Sequence, residues 1–410
     1  MTTEPLAVSG GTSARARPRV TFSVGLMLAT SIAAPWPALA QDAVSASPTP
    51  TASSLPDVTP APSASTRPDG AVVPSLLAPA WSRIQAAHSP AAREDHTWTV
   101  DEQGAGAYLF GGRDGGTAFD DLWRFDLATD TWSRLRPSGS RPSARFGHSA
   151  AWLPGTGLVV FAGQRGTDFF SDLWAYDSGS DRWTRLPARG AAPAARYGSC
   201  AVVGRDGRLV ISHGFTFRGR FDDTRAYNFR TGRWASVAPA GRRPGERCLH
   251  ECFTDAEGQL VLYGGQDNQN ASLGDLWSTR PDGSWTRAPD PSAAARRLHA
   301  VTEAGPDAWV FGGAGRDGSA LDDLWRADRA TLQFERVRPA GGSPPARWAG
   351  TLVTDPARGR LLLFGGMGRI ALGDMWQLTD SAPAMPAPED TAVGTPAQGD
   401  DSTASPAPGG

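Results

Sequence analysis

Residues 93–132, REDHTWTVDEQGAGAYLFGGRDGGTAFDDLWRFDLATDTW, decide how this chain folds, because their landmarks keep coming back downstream. The opening Arg93-x-x-His96 recurs as Arg145-x-x-His148, Arg196-x-x-Ser199, Arg247-x-x-His250, Arg296-x-x-His299 and Arg347-x-x-Gly350, at intervals of 52, 51, 51, 49 and 51 residues. Leu109-Phe110-Gly111-Gly112, an apolar run ending in small residues, is matched by Val160–Gly163, Ile211–Gly214, Leu262–Gly265, Val310–Gly313 and Leu363–Gly366. Asp121-Leu122-Trp123 returns as Asp172-Leu173-Trp174, Asp223-Thr224-Arg225, Asp275-Leu276-Trp277, Asp323-Leu324-Trp325 and Asp374-Met375-Trp376. A later aromatic follows in five units, at Trp132, Trp183, Trp234, Trp285 and Phe334. Each unit therefore holds four short apolar or alternating runs separated by turn residues, the pattern of a four-stranded antiparallel sheet. Sheets of that size repeated about an axis make the blades of a β-propeller. The sixth unit lacks its fourth run, and Ala80-Trp81-Ser82-Arg83-Ile84, which matches Thr131-Trp132-Ser133-Arg134-Leu135, predicts an N-terminal strand that closes the ring.

Taken together, the doublets, the later aromatics and the opening arginines resemble the kelch family of β-propellers, within the galactose oxidase/kelch superfamily and of an exported bacterial type. The resemblance spans Ala80 to about Asp380. It implies an all-β, six-bladed kelch-type propeller in which the doublet ends the second strand and the Trp sits on the fourth. It further implies that the loops between second and third strands join the fourth-to-first connections on one face, where members of the family bind ligands or partners.

Outside the repeats the chain reads differently. Arg15, Arg17 and Arg19 precede an apolar stretch from Val20 to Ala34, and Ala38-Leu39-Ala40 has the small-x-small form of a cleavage site. That order predicts a signal peptide over residues 1–40, with export to the periplasm or the extracellular space after cleavage near Ala40. The stretch is too short to span a bilayer, which needs about 20 apolar residues, so no membrane span is expected once the signal is removed. Residues 41–78 and 381–410 are rich in Pro, Ser, Thr and Ala; they cannot bury enough apolar surface to offset their ordering entropy, and a disordered linker and a disordered tail are expected around a propeller at 79–380.

Composition excludes whole classes of chemistry. All 40 basic residues are Arg, so Schiff-base catalysis, a lysine general base and a P-loop nucleotide site are excluded. The net charge of -2 argues against nonspecific nucleic-acid binding. No cofactor is expected, and the propeller is expected to be a monomer.

Candidate binding residues follow from the repeat and from its irregularities. Arg93, Arg145, Arg196, Arg247, Arg296 and Arg347 form either an anion-binding mouth or a set of turn braces within each repeat. His96, His148, His250 and His299 occupy one repeat position on separate blades, too widely spaced for one metal ion, and read as repeat-level hydrogen bonds. The aspartates before Leu-Trp read as turn residues capping local amides. Packing demanded by the repeat cannot explain residues that one blade alone carries. Blade three has Ser199, His213 and Arg225 where its siblings have other types, and its loop Phe215-Thr216-Phe217-Arg218-Gly219-Arg220 joins two aromatics to two cations. Blade four has Cys248, Glu251 and Cys252 in its inner strand and a polar loop, Gln266-Asp267-Asn268-Gln269-Asn270. Tyr197 lies near the mouth. Cys200 and the blade-four cysteines fall on neighbouring inner strands, expected to be too far apart for a bridge, so buried free thiols are the expectation.

Two functions compete. The first is a noncatalytic protein- or glycan-binding module working through the loop face, with an acidic partner suited to the arginines. The second is a carbohydrate-active enzyme that resembles the periplasmic N-acetylneuraminate epimerases, with Glu251 or His213 as acid/base. A galactose-oxidase-like copper enzyme fits less well, because Tyr108, Tyr263, Tyr176 and Tyr227 lie in second and third strands away from the mouth.

Overall fold

A computed structural model describes residues 79–237 and 241–380. The leader, linker and tail expected at 1–40, 41–78 and 381–410 lie outside the described residues. Six antiparallel sheets follow one another along the chain, five of four strands and one, blade three, of five, because Arg189–Gly190 adds in parallel to its Arg233–Ser236 strand; no helix occurs among the described residues. Blade one, for example, runs Thr97–Val100, Gly106–Phe110, Leu122–Asp126 and Thr131–Leu135, so that the Gly111-Gly112 doublet leaves the second strand and Trp132 sits in the fourth. The fold is the six-bladed kelch propeller that the repeat implied.

The second strands read as unbroken apolar runs because both of their faces are covered by other blades. Gly106–Phe110, Gly157–Phe161 and Arg360–Phe364 are buried at every residue. The cores therefore lie between blades: one joins Trp98, Phe125 and Trp132 of blade one to Leu362 and Phe364 of blade six. Trp98 and Trp132 stack at 5.4 Å, and Phe364 packs 5.4 Å from Trp132. Burying a large aromatic removes 150–250 Å² from water, so one such residue per blade supplies much of each interface.

The ring closes as the sequence predicts. Pro79–Ile84 pairs antiparallel with Met375–Asp380, Trp81 opposite Leu378, and becomes the fourth strand of blade six. Trp81 is buried and lies edge-on to Phe311 of blade five, 5.5 Å away. Without this strand both blade six and its interface with blade five would expose apolar surface. Trp81→Ala is accordingly expected to lower unfolding free energy by about 3–5 kcal/mol. Urea unfolding checks it, and an unchanged midpoint would contradict the closure.

Candidate functional site

Each opening arginine belongs to two blades at once. Its backbone is held by the preceding blade: the Arg145 N–H donates to the Phe119 carbonyl and the Arg145 carbonyl accepts from the Gly112 N–H, and the same pair of bonds recurs at every junction, including Arg93 with Leu372 and Gly366. Its side chain serves its own blade. Arg145 donates from Nε to the Ser143 carbonyl, from one terminal nitrogen to the Ala162 carbonyl and Asp172 Oδ1 (2.8 and 2.7 Å), and from the other to Asp172 Oδ2 (3.0 Å). Arg93, Arg196, Arg247, Arg296 and Arg347 make the same bidentate pair with Asp121, Asp223, Asp275, Asp323 and Asp374. All six arginines are at most 2% exposed. Of the two readings of these residues, the geometry is that of the internal brace, since a buried guanidinium with its donors committed offers nothing to a ligand.

The aspartates are corrected more sharply. Their main partners are not local amides: each accepts the arginine fork and, in five blades, the indole N–H two residues on, as Trp123 to Asp121 at 2.7 Å. In blade three Arg225 Nε takes the place of that indole on Asp223, at 3.0 Å. Burial alone would raise these carboxyls, but the hydrogen bonds and charge of the arginines hold all six below the usual range.

Two residues past each arginine the backbone closes a circle around the axis. Asp95 N–H donates to the Ala349 carbonyl, Ala349 to Leu298, Leu298 to Leu249, Leu249 to Gly198, Gly198 to Gly147, and Gly147 back to Asp95, with N···O distances of 2.7–3.1 Å. All six residues have φ between 53° and 63°, the left-handed region, four of them without being glycine. At Gly147 the glycine is also needed for space, because a Cβ there would fall 1.9 Å from the Tyr197 ring.

Inside the inner strands is a cavity of about 210 Å³, lined by residues that include Tyr197, Cys200, His250, Glu251 and Cys252. Three of the junctions between neighbouring blades are bridged here by polar contacts. His96 Nε2 lies 2.7 Å from Thr351 Oγ1 and His148 Nε2 2.8 Å from Thr97 Oγ1, while Ser199, standing where a His does in its siblings, accepts from Ser149 Oγ at its carbonyl, at 2.7 Å. Burial, the largest cause, keeps the rings of His96, His148, His250 and His299 neutral by lowering their pKa. Repeat-level bonding thus describes His96 and His148. The equivalents of their hydroxyl partners are Cys200 for His250 and Glu251 for His299.

The cysteine expectation is overturned. Cys200 and Cys252 form a disulfide with Cα atoms 5.6 Å apart, because inner strands of adjacent blades converge toward the axis. Cys248 is the free, buried thiol.

The residue directly after each arginine faces the loop side and pairs with the residue just past the doublet: Glu94 with Arg113, Phe146 with Gln164, Tyr197 with Phe215, Cys248 with Gln266, Arg297 with Ala314, Trp348 with Met367. This rim has three sectors. An acidic one holds Glu94 and Asp95 against Arg113 (3.1 and 3.0 Å), with Tyr197 Oη donating to Asp95 at 3.3 Å. Burial and then the Asp95 charge push the Glu94 carboxyl up to about 7. A basic sector centres on Arg220, which donates to Cys248 Sγ (3.2 Å), Gln266 (2.7 Å) and Asn270 (2.9 Å), with Arg297 held by Ser272 nearby. Between them stand Phe169, Phe215 and Phe217, with Phe169 and Phe217 edge to face at 4.9 Å and Arg220 5.5 Å from the Phe215 ring.

Among the residues singled out in the sequence, Tyr197, Phe217 and Arg220 stand together on this rim, and Arg218 is exposed beside them. Glu251 and His213 do not share a site. Glu251 faces the axial cavity, while His213 is fully buried, its Nδ1 2.7 Å from Ser212 Oγ, and its carbonyl receives Arg196. Glu94, Arg113, Phe169 and Arg297 were not among the residues singled out, although a signal existed. Flanked by repeated landmarks, the position after the arginine is Glu, Phe, Tyr, Cys, Arg and Trp in turn, and a site that differs in every copy is not dictated by the scaffold.

Burial, followed by the Asp95 charge, lifts the Glu251 carboxyl from an ordinary 4.5 to about 8. An acid whose folded pKa is raised contributes full stability below its unfolded pKa and loses it as pH rises through the folded one. Relative to wild type, Glu251→Gln is expected to gain thermal stability progressively from pH 5 to pH 9. Melting temperatures of the two proteins across that range check this; parallel curves would show that the carboxyl is not held protonated.

The family described as the KLHDC2/KLHL20/DRC7 Kelch-repeats domain matches residues 69–256 and 234–382. Kelch domain-containing protein 10 of Xenopus tropicalis is 28% identical over 325 residues, covering 72% of this chain and 76% of its own. Kelch domain-containing protein 3 of Bos taurus is 29% identical over 281 residues, 62% of this chain and 70% of its own. Tip elongation aberrant protein 1 of Schizosaccharomyces pombe is 32% identical over 190 residues, 44% of this chain and 16% of its own.

Proposed function

The chain belongs to the kelch-repeat family of propellers, generally protein-interaction modules, and from that premise we propose that it is an exported, noncatalytic binding protein whose rim over blades two to four grips an acidic, apolar-anchored segment of a protein partner. One observation carries the reading. The large apolar side chains left most exposed among the described residues, Phe217 at 68% and Ile370 at 73%, both stand on connections between second and third strands, hence on the loop face. Ile370 belongs to blade six, whereas Phe217 stands with Phe169 and Phe215 on the rim of blades two and three. An exposed apolar cluster bordered by polar groups marks an interaction surface. Here exposed Arg218 supplies the border and the free positive charge, with Arg220 beside it held by Cys248, Gln266 and Asn270, and aromatic and arginine side chains are the usual anchors of protein interfaces. Export is supported by the Cys200–Cys252 disulfide, since such bonds persist in oxidising compartments. In a kelch propeller the same face could present those anchors to a glycan instead.

The epimerase alternative finds less support. An acidic sugar would need free arginines at the mouth, and the six repeat arginines are braced inside the blades. Its two acid/base candidates, Glu251 and His213, occupy separate spaces.

Peptide arrays probed with the purified propeller test the assignment. Acidic peptides with an apolar anchor are expected to be retained, and Phe217→Ala is expected to weaken them by about thirtyfold, the effect of removing an interface hot spot. Arg218→Glu is expected to weaken them too, and retention is expected to fall as salt is raised. Retention indifferent to both substitutions and to salt, or turnover of N-acetylneuraminate that Glu251→Gln abolishes, would overturn it.

A further inference from the structure

The irregular residues of blades three and four converge away from the rim, at the wall of the axial cavity. Sγ of Cys200, Sγ of Cys252 and a ring nitrogen of His250 all lie within 4.8 Å of one another. In the regular blades the same histidine position meets a threonine hydroxyl across the junction; at this junction the hydroxyl is replaced by the Cys200 sulfur. His250 is 1% exposed, and neither of its ring nitrogens reaches a partner at hydrogen-bonding geometry, although the Ser212 carbonyl lies beside the ring. His213, the residue that breaks the small-residue rule of the doublet, packs edge-on against it at 5.4 Å. A buried imidazole without a partner is costly, and two sulfurs beside it are what such a ring can share a metal with.

We propose that Cys200, Cys252 and His250 form a redox-gated site for a single soft divalent cation of the zinc class, closed while the cysteines are joined and open once they are reduced. A dithiol reductant supplies the two electrons and two protons that convert the bridge to two thiols, and is itself oxidised to a cyclic disulfide. Metal binding then replaces the two thiol protons, which leave to solvent, with two metal–sulfur bonds and one metal–nitrogen bond. In a tetrahedral site with metal–sulfur bonds of about 2.3 Å the sulfurs stand about 3.8 Å apart, a separation that side-chain rotation provides without moving strands whose Cα atoms are 5.6 Å apart. All three residues line the axial cavity, which leaves room for water at a fourth position. The Ser212 carbonyl and the His213 ring flank His250, as outer groups commonly orient a metal-bound histidine.

Cobalt(II) tests this on the full-length chain, reduced with a dithiol that is removed under anaerobic conditions before titration. One equivalent is expected to bind with a thiolate-to-cobalt charge-transfer band and to be displaced by zinc, whereas the oxidised chain gives no band. His250→Ala and Cys200→Ser are expected to abolish the band and Cys248→Ser to keep it. Should those variants lose their near-ultraviolet circular dichroism, alkylation of the wild-type chain decides: zinc is expected to slow the labelling of Cys200 and Cys252 at least tenfold and leave Cys248 unchanged. No band in the reduced wild type, a band that survives Cys200→Ser, or labelling indifferent to zinc would overturn the proposal.

Discussion

A buried arginine with its backbone in one blade and its side chain in the next is the interaction on which this structure depends. The bidentate pairs between Arg93 and Asp121, Arg145 and Asp172, and their four counterparts fix the lead-in to every inner strand against the start of every third strand. Backbone bonds from the same residues to the preceding blade turn six separate braces into a closed chain. A buried ion pair of this kind need not add net stability over apolar residues of similar size, because desolvating both charges costs several kcal/mol. What it adds is position: the fork accepts a carboxylate in one geometry, and the carbonyl after the doublet's apolar run fixes the turn that leads onto the loop face.

That placement separates scaffold from function. The arginines absorb the strain of the axial circle, where Asp95, Leu249, Leu298 and Ala349 hold left-handed backbone that their side chains resist. With the backbone fixed on both sides, the residue between arginine and circle is free to vary. Glu94, Phe146, Tyr197, Cys248, Arg297 and Trp348 therefore give the rim its acidic, aromatic and basic sectors at no expense to the fold. The inner-strand positions further along vary in the same way, and there Cys200, Cys252 and Glu251 replace the groups of the regular junctions.

The period, the four-stranded units and the closing strand at Trp81 were all legible in the sequence, because each depends on patterns repeated locally or matched between two short segments. The role of the arginines was half legible. Their aspartate partners lie 27 or 28 residues downstream in every blade, a constant separation that links the two sets, but their burial appears only once the blades are stacked. The Cys200–Cys252 bridge was hidden for a different reason. Its closeness depends on how steeply inner strands converge at the axis, which spacing along the chain does not encode. His213 and Glu251 each break the repeat, in adjacent blades, and so were alternative acid/base candidates; the stacking of the blades buries the first and leaves the second on the cavity wall, which the sequence pattern does not encode.

A double-mutant cycle on Arg145 and Asp172, followed by urea unfolding, tests the central claim most directly. If the pair is an internal brace, Arg145→Met and Asp172→Leu should each cost about 3–5 kcal/mol by stranding a buried charge. The double variant should then be destabilised by several kcal/mol less than their sum. Additive losses, or a single Arg145→Met that leaves stability unchanged, would contradict it.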